Sequence, residues 1–205
     1  MAKHGLHRHQ LPAVFSFPYQ RKVGLLGGSF NPAHDGHIAL SLHAKRIGKF
    51  DEIWWLVSPQ NPLKSSQNMA DFDKRLQFAR ALCARHRWLR VLALEQLSST
   101  NYSYDTCRFV TRRAPRVSFT WLMGSDNLLQ FPQWYRAKDM ANLMPFMVLR
   151  RNDSFYASLV SKGRQYFRKY RQDDSRKSPL PNLRLIYHFH HKASATALRK
   201  AGHWT

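Results

Sequence analysis

The sequence predicts an α/β fold, a doubly wound parallel sheet of the Rossmann-like type, on three observations. Short apolar runs alternate with segments of helical period, the first run closes on a pair of glycines, and a length of 205 residues suits one ordinary domain. Strands that alternate with helices pair in parallel through right-handed crossovers, and ligands of such sheets sit beyond the carboxyl ends of the strands.

The elements follow in order from residue 22. Residues 22–26 (KVGLL) form an apolar run ending at Gly27 and Gly28, hence a strand and a glycine turn, and residues 36–47 carry Ile38, Leu42 and Ile47 near helical spacing. A buried strand is expected over 52–57 (EIWWLV), a helix over 71–85 and a strand over 90–94. Another cycle predicts a helix over 104–113, a strand over 118–123 (SFTWLM), helix over 126–142 with a break at Pro132, and a strand over 146–149. Residues 155–177 interleave Lys162, Arg164, Arg168 and Lys169 with Tyr156, Tyr166, Phe167 and Tyr170, the pattern of an amphipathic helix with solvated charges. A turn over 178–181, a strand over 183–187 and a terminal helix from near Ser194 complete the chain. Residues 1–21 show neither period and read as a flexible basic arm ahead of a single domain over 22–205.

Charge is the outlier of composition: 33 Lys and Arg against 12 Asp and Glu give a formal +21. Such an excess attracts polyanions, whether RNA, acidic lipid or nucleoside polyphosphates, without choosing among them. An enzyme handling phosphorylated substrates gains from it, and no specific nucleic acid partner is expected. The two cysteines, Cys83 and Cys107, form no CxxC pair, so neither a disulfide framework nor a zinc ribbon is expected and a cytoplasmic setting is. No apolar run approaches the roughly 18 to 20 residues of a membrane span.

The sharpest local feature is GGSFNPAHDGH, residues 27–37. Gly27 and Gly28 have no Cβ to keep backbone N–H groups from an anion, and Ser29 adds a hydroxyl. His34 and His37, three positions apart at a helix start, are expected to share one face over the unpaired N–H groups of its first turn, so that imidazole donors and a positive helix end converge. The stretch lacks the Gly-Lys-Ser/Thr ending of a Walker loop and the GxGxxG of a dinucleotide fingerprint.

Further landmarks come in sequence: SPQNPLKSS around Lys64, Arg75 in FDKRL, Glu95, NYSYDT from Asn101, LMGSDNLLQFPQW ending at Trp134, and SATALR from Ser194 to Arg199. In this order they resemble bacterial nicotinate-nucleotide adenylyltransferases, within the HxGH nucleotidyltransferase superfamily, over residues 23–199.

The resemblance implies transfer of AMP from ATP to nicotinate mononucleotide, giving nicotinate adenine dinucleotide and pyrophosphate in NAD biosynthesis. It places His34 and His37 on the ATP phosphates, with Arg199 as a third catalytic group, and Gly27, Gly28, Ser29, Phe30, Gly124, Asp126, Ser194 and Thr196 around ATP. Lys64 falls near the phosphate of the partner nucleotide, and Tyr102, Ser103, Trp134 and Tyr135 around its pyridine ring and carboxylate. Ser103 stands where the family has Thr, keeping the hydroxyl and the N–H, while Ala195 and Leu198 depart from the terminal motif. Magnesium is expected to arrive with ATP, held by phosphates and water, and no protein metal site is expected. The pantetheine-phosphate adenylyltransferases and cytidylyltransferases share HxGH without these later landmarks, and an RNA-binding module is the rival from another class. Assembly into a homo-oligomer stays open.

Overall fold

The computed structural model describes residues 20–59, 69–95, 102–150, 154–167 and 180–189. Its sheet has β1 (Arg21–Gly28), β2 (Glu52–Val57), β3 (Leu89–Leu92), β4 (Val117–Gly124), β5 (Phe146–Leu149) and β6 (Leu183–Ile186). They lie in the order β3-β2-β1-β4-β5-β6, every neighbouring pair parallel. After β3 the chain crosses to the far side of β1, so the winding reverses between β1 and β4, and that crevice is where an open α/β sheet binds ligands.

Side chains alternate across this sheet. Val23, Leu25, Trp54, Leu56, Phe119 and Trp121 pack on one face, against Cys107 and Val110 of α3 (Ser103–Arg113), beyond α1 (Asp35–Gly48) and α2 (Phe72–Cys83) in the chain. Leu26, Ile53, Trp55, Val57 and Leu122 pack on the other, against Leu40 and Ala44 of α1 and Leu76 and Ala79 of α2. Being covered on both faces is why EIWWLV reads as continuous apolar sequence: all six residues are buried. Both indoles there are satisfied, Trp55 Nε1 donating to Ser41 Oγ at 2.8 Å and Trp54 Nε1 to Glu52 Oε2 at 2.9 Å. Glu52 also receives Arg21 and Arg90. Burial opposes its charge, but hydrogen bonds from Arg90 and Trp54 and the Arg90 and Arg21 cations hold its carboxyl below the ordinary value.

Two expectations change and one holds. Gly27 and Gly28 are no turn: β1 runs through both, paired with Leu56 and Val57 of β2. What demands glycine at 27 is packing, since a Cβ there would come within 2.5 Å of the Trp121 ring. The chain turns afterwards, at Phe30 with φ 46°. The helical stretch after β4 breaks at Pro132 as expected, into α4 (Ser125–Gln130), a 3-10 turn at Phe131–Gln133 and α5 (Ala137–Leu143). The single amphipathic helix expected over 155–177 is instead α6 (Ser154–Leu159) and α7 (Lys162–Gln165), with Ser161 capping the second through its hydroxyl. Gly163 lets α7 approach the Leu128 carbonyl of α4, where a Cβ would collide. Residues 168–177 lie outside the described residues, as do 1–19 and the terminal helix expected near Ser194.

Candidate active site

The phosphate loop leaves β1 at Ser29 and reaches α1 at His34. His34 is the N-cap of α1, extended at φ −155° and ψ 169°, and its Nδ1 accepts the Gly36 N–H at 3.1 Å. His37, third residue of the helix, returns the favour: its Nδ1 accepts the His34 N–H at 3.2 Å. Two imidazoles thus build a reciprocal capping box, usually the work of Ser or Thr with Glu. This corrects part of the expected picture, in which the histidines stood over unpaired N–H groups: the Gly36 N–H is taken by the His34 ring, the His34 N–H by the His37 ring, and the His37 N–H by the His34 carbonyl.

The correction sharpens the chemistry. A neutral imidazole has one donor and one acceptor nitrogen, so an accepting Nδ1 puts the proton on Nε2 in both residues. Their ring centroids lie 3.9 Å apart. Phe30, 2% exposed, stacks on Trp55 at 4.8 Å and meets the His37 ring at 4.9 Å. Its side chain braces the site from below, leaving only its backbone to meet a ligand.

Arg75 is the residue that sequence reasoning undervalued. It is 1% exposed on α2 and donates to four carbonyls: Nε to Ala70, Nη1 to Ser29 and Ser58, and Nη2 to Pro59, at 2.6 to 2.9 Å. One guanidinium thereby ties the phosphate loop to the segment leaving β2. A signal was present: Arg75 shares the apolar stripe of Leu76, Ala79 and Cys83, where a charge is out of place.

At the other side of the crevice, β4 ends on Gly124, the N-cap of α4, with Ser125 and Asp126 in the first turn of that helix. Trp121 of β4 lies against Gly27 and meets Trp134 edge-on at 6.0 Å and 90°. Trp134 is half-buried and also touches Phe131 at 5.6 Å, so it anchors the turn while keeping part of its ring exposed. Next to it Tyr135 packs on Tyr102 at 4.4 Å, both rings exposed. Tyr102 is the N-cap of α3 and Ser103 its first residue, and no side chain caps that end. Arg136, at φ 52°, lays its guanidinium over Tyr104 at 4.5 Å. The structure thus gathers the predicted aromatic group at one helix end, linked to the end of β1 through Trp121, which lies against Gly27. Lys64, Asn61, Pro62, Ser194, Thr196 and Arg199 lie outside the described residues.

Glu95 is buried, and burial pushes its carboxyl up to about 7 despite an opposing hydrogen-bonding contribution from Ser58. A carboxyl whose folded pKa exceeds its unfolded one stabilises the fold at low pH. That advantage is complete below about 4.5 and fades as pH rises to 7, by an amount on the order of 3 kcal/mol. Glu95→Gln should therefore flatten the fall of stability between pH 5 and 8 in urea unfolding. An unchanged slope would show that Glu95 titrates normally.

Comparison with known proteins places the chain as a whole. The cytidylyltransferase-like family profile matches residues 25–201. A protein of Parvibaculum lavamentivorans named "Probable nicotinate-nucleotide adenylyltransferase" is 41% identical over 90% of this chain and 94% of its own length. A protein of Erythrobacter litoralis with the same name is 40% identical over 88% and 84%. Among solved structures, Plasmodium falciparum nicotinic acid mononucleotide adenylyltransferase complexed with NaAD superposes with a TM-score of 0.68, covering 88% of this chain and 83% of that one at 17% identity, a likeness of fold. By sequence, the chain belongs to the nicotinate-nucleotide adenylyltransferases, within the cytidylyltransferase-like family.

Proposed function

We infer that the chain transfers AMP from ATP to nicotinate mononucleotide, giving nicotinate adenine dinucleotide and pyrophosphate in NAD biosynthesis. The observation that supports this most is the histidine capping box, two Nε2–H donors fixed 3.9 Å apart between ring centres at the winding reversal of the sheet. A phosphate oxygen of the mononucleotide forms a bond to the α-phosphorus of ATP, and the bond from that phosphorus to the bridging oxygen breaks. Pyrophosphate leaves with the electron pair. Such a reaction asks the protein for position and for donors aimed at developing charge, not for a covalent intermediate. His34 and His37 serve as those donors, with Arg199 as a third.

The remaining roles follow. Gly27, Gly28, Ser29 and the backbone of Phe30 lie along the triphosphate, Gly124 and Asp126 by the adenosine, and Ser194 and Thr196 with the phosphates. Lys64 takes the mononucleotide phosphate and Trp134 the face of its pyridinium. The N–H of Ser103 and one near Tyr135 receive the carboxylate, with Tyr102 alongside. An amide in its place would turn an NH2 toward donors it cannot satisfy.

Among the described residues no cluster of three His, Cys, Asp or Glu side chains is placed to hold a metal ion. Magnesium would come as a companion of ATP, held by phosphate oxygens and water, and would neutralise charge on the leaving group. The same reading takes residues 22–205 as one catalytic domain behind an arm of residues 1–21, working in the cytoplasm. Among the described residues no helix is long and apolar enough to cross a membrane.

The test is pyrophosphate release from ATP with nicotinate mononucleotide, nicotinamide mononucleotide or phosphopantetheine as acceptor. Nicotinate mononucleotide should be used best. Preference for phosphopantetheine would move the chain to another acceptor class, and no release with any acceptor would refute the assignment.

A further inference from the structure

The largest fully buried side chains include the indoles of Trp54, Trp55 and Trp121. An indole N–H taken out of water ordinarily finds an acceptor inside the protein. The first two do, Trp54 donating to Glu52 and Trp55 to Ser41. Trp121 does not: its ring is 2% exposed, and its Nε1 is buried without a hydrogen-bond partner among the described residues.

The register of the sheet locates that donor. Trp121 of β4 pairs with Leu25 of β1, and Gly27 is the next residue on the same face toward the carboxyl end of the strand. The ring reaches that far, because a Cβ built on Gly27 would lie 2.5 Å from its Cη2 and 2.8 Å from its Cζ2. The indole therefore leans toward the rim of the sheet, where ligands of this fold sit, into space that only glycine leaves free. Nε1 is bonded to Cε2, the neighbour of Cζ2, so the orphaned donor shares the edge that lies against Gly27. The same ring meets the half-buried Trp134 at 6.0 Å and 90°.

The function proposed above puts the pyridinium of the mononucleotide on Trp134 and its phosphate at the loop that follows β1. Its ribose joins the two, and Trp121 touches both Trp134 and the end of β1. We propose that Trp121 Nε1 donates a hydrogen bond to a ribose hydroxyl of the bound mononucleotide, which makes Trp121 a recognition residue for the sugar. The inference rests on that functional reading. A hydroxyl oxygen offers lone pairs without charge, and so matches a neutral donor set among apolar side chains.

The experiment is calorimetric titration of the full chain, wild type and Trp121→Phe, with nicotinate mononucleotide and with its 2′-deoxy and 3′-deoxy analogues. Phe keeps an aromatic ring against Gly27 and removes the N–H. The wild type should bind at least one deoxy analogue about fivefold more weakly than the parent, the ordinary worth of one hydrogen bond. Trp121→Phe should bind the parent weaker by a similar factor, and its ratio of parent to that analogue should fall toward one. If Trp121→Phe does not fold, replacement of Trp121 by its benzothienyl isostere, which exchanges the N–H for sulfur in the same ring shape, gives the same ratio to read. An indole that serves packing alone would leave the deoxy penalty equal in both proteins, and that result overturns the proposal. So does a wild type indifferent to both hydroxyls. Either outcome in a chain that still releases pyrophosphate from ATP and nicotinate mononucleotide sinks the proposal alone. A chain that neither binds the mononucleotide nor releases pyrophosphate sinks the functional reading, and the proposal with it.

Discussion

His37→Ala should lower the turnover of ATP and nicotinate mononucleotide at least about a hundredfold, the usual cost of removing one preorganised donor from a transition state. The loss should appear in kcat, because charge on the transferring phosphate and leaving group grows only as the bond breaks. A change in stability accompanies it. The ring also accepts the His34 N–H, so its removal should cost about 1 kcal/mol of cap energy. His37→Gln retains a side-chain acceptor for that N–H and should recover much of the stability with little of the rate. Pyrophosphate release at saturating substrates, beside thermal unfolding, separates the two. A near wild-type rate in His37→Ala would remove the imidazole pair from the mechanism.

Trp134→Ala should weaken the mononucleotide by up to about thirtyfold, if the indole covers a pyridinium with a cation–π attraction of about 0.5 to 2 kcal/mol. Its half-buried ring is held edge-on by Trp121 and Phe131, which fixes the plane before a ligand arrives. Because Trp121 also lies against Gly27 of β1, the substitution loosens a ring packed on that strand. ATP binding is therefore the internal control. Separate titrations with each ligand should show a much larger loss for the mononucleotide, and equal losses would mean that Trp134 serves only as an anchor of its turn.

Much of this molecule could be read from residue order. The double-sided burial of EIWWLV, the alternation of strands and helices and the landmarks from GGSF to GSDN are local patterns, and local patterns survive without coordinates. The same was not true of Gly27. Two adjacent glycines signal a turn by composition, and only the position of Trp121, nearly a hundred residues later, shows that the missing Cβ serves packing. For residues 155–177 the helical period was present, yet Ser161 and the approach of Gly163 to Leu128 divide the segment.

By itself the sequence determined the α/β class and the family, because motif spacing and periodicity are properties of the chain. Tertiary structure alone decided which nitrogen of each histidine carries the proton and what Arg75 holds. Both depend on hydrogen bonds to backbone groups whose direction exists only after folding, and backbone carbonyls leave no trace in the residue type.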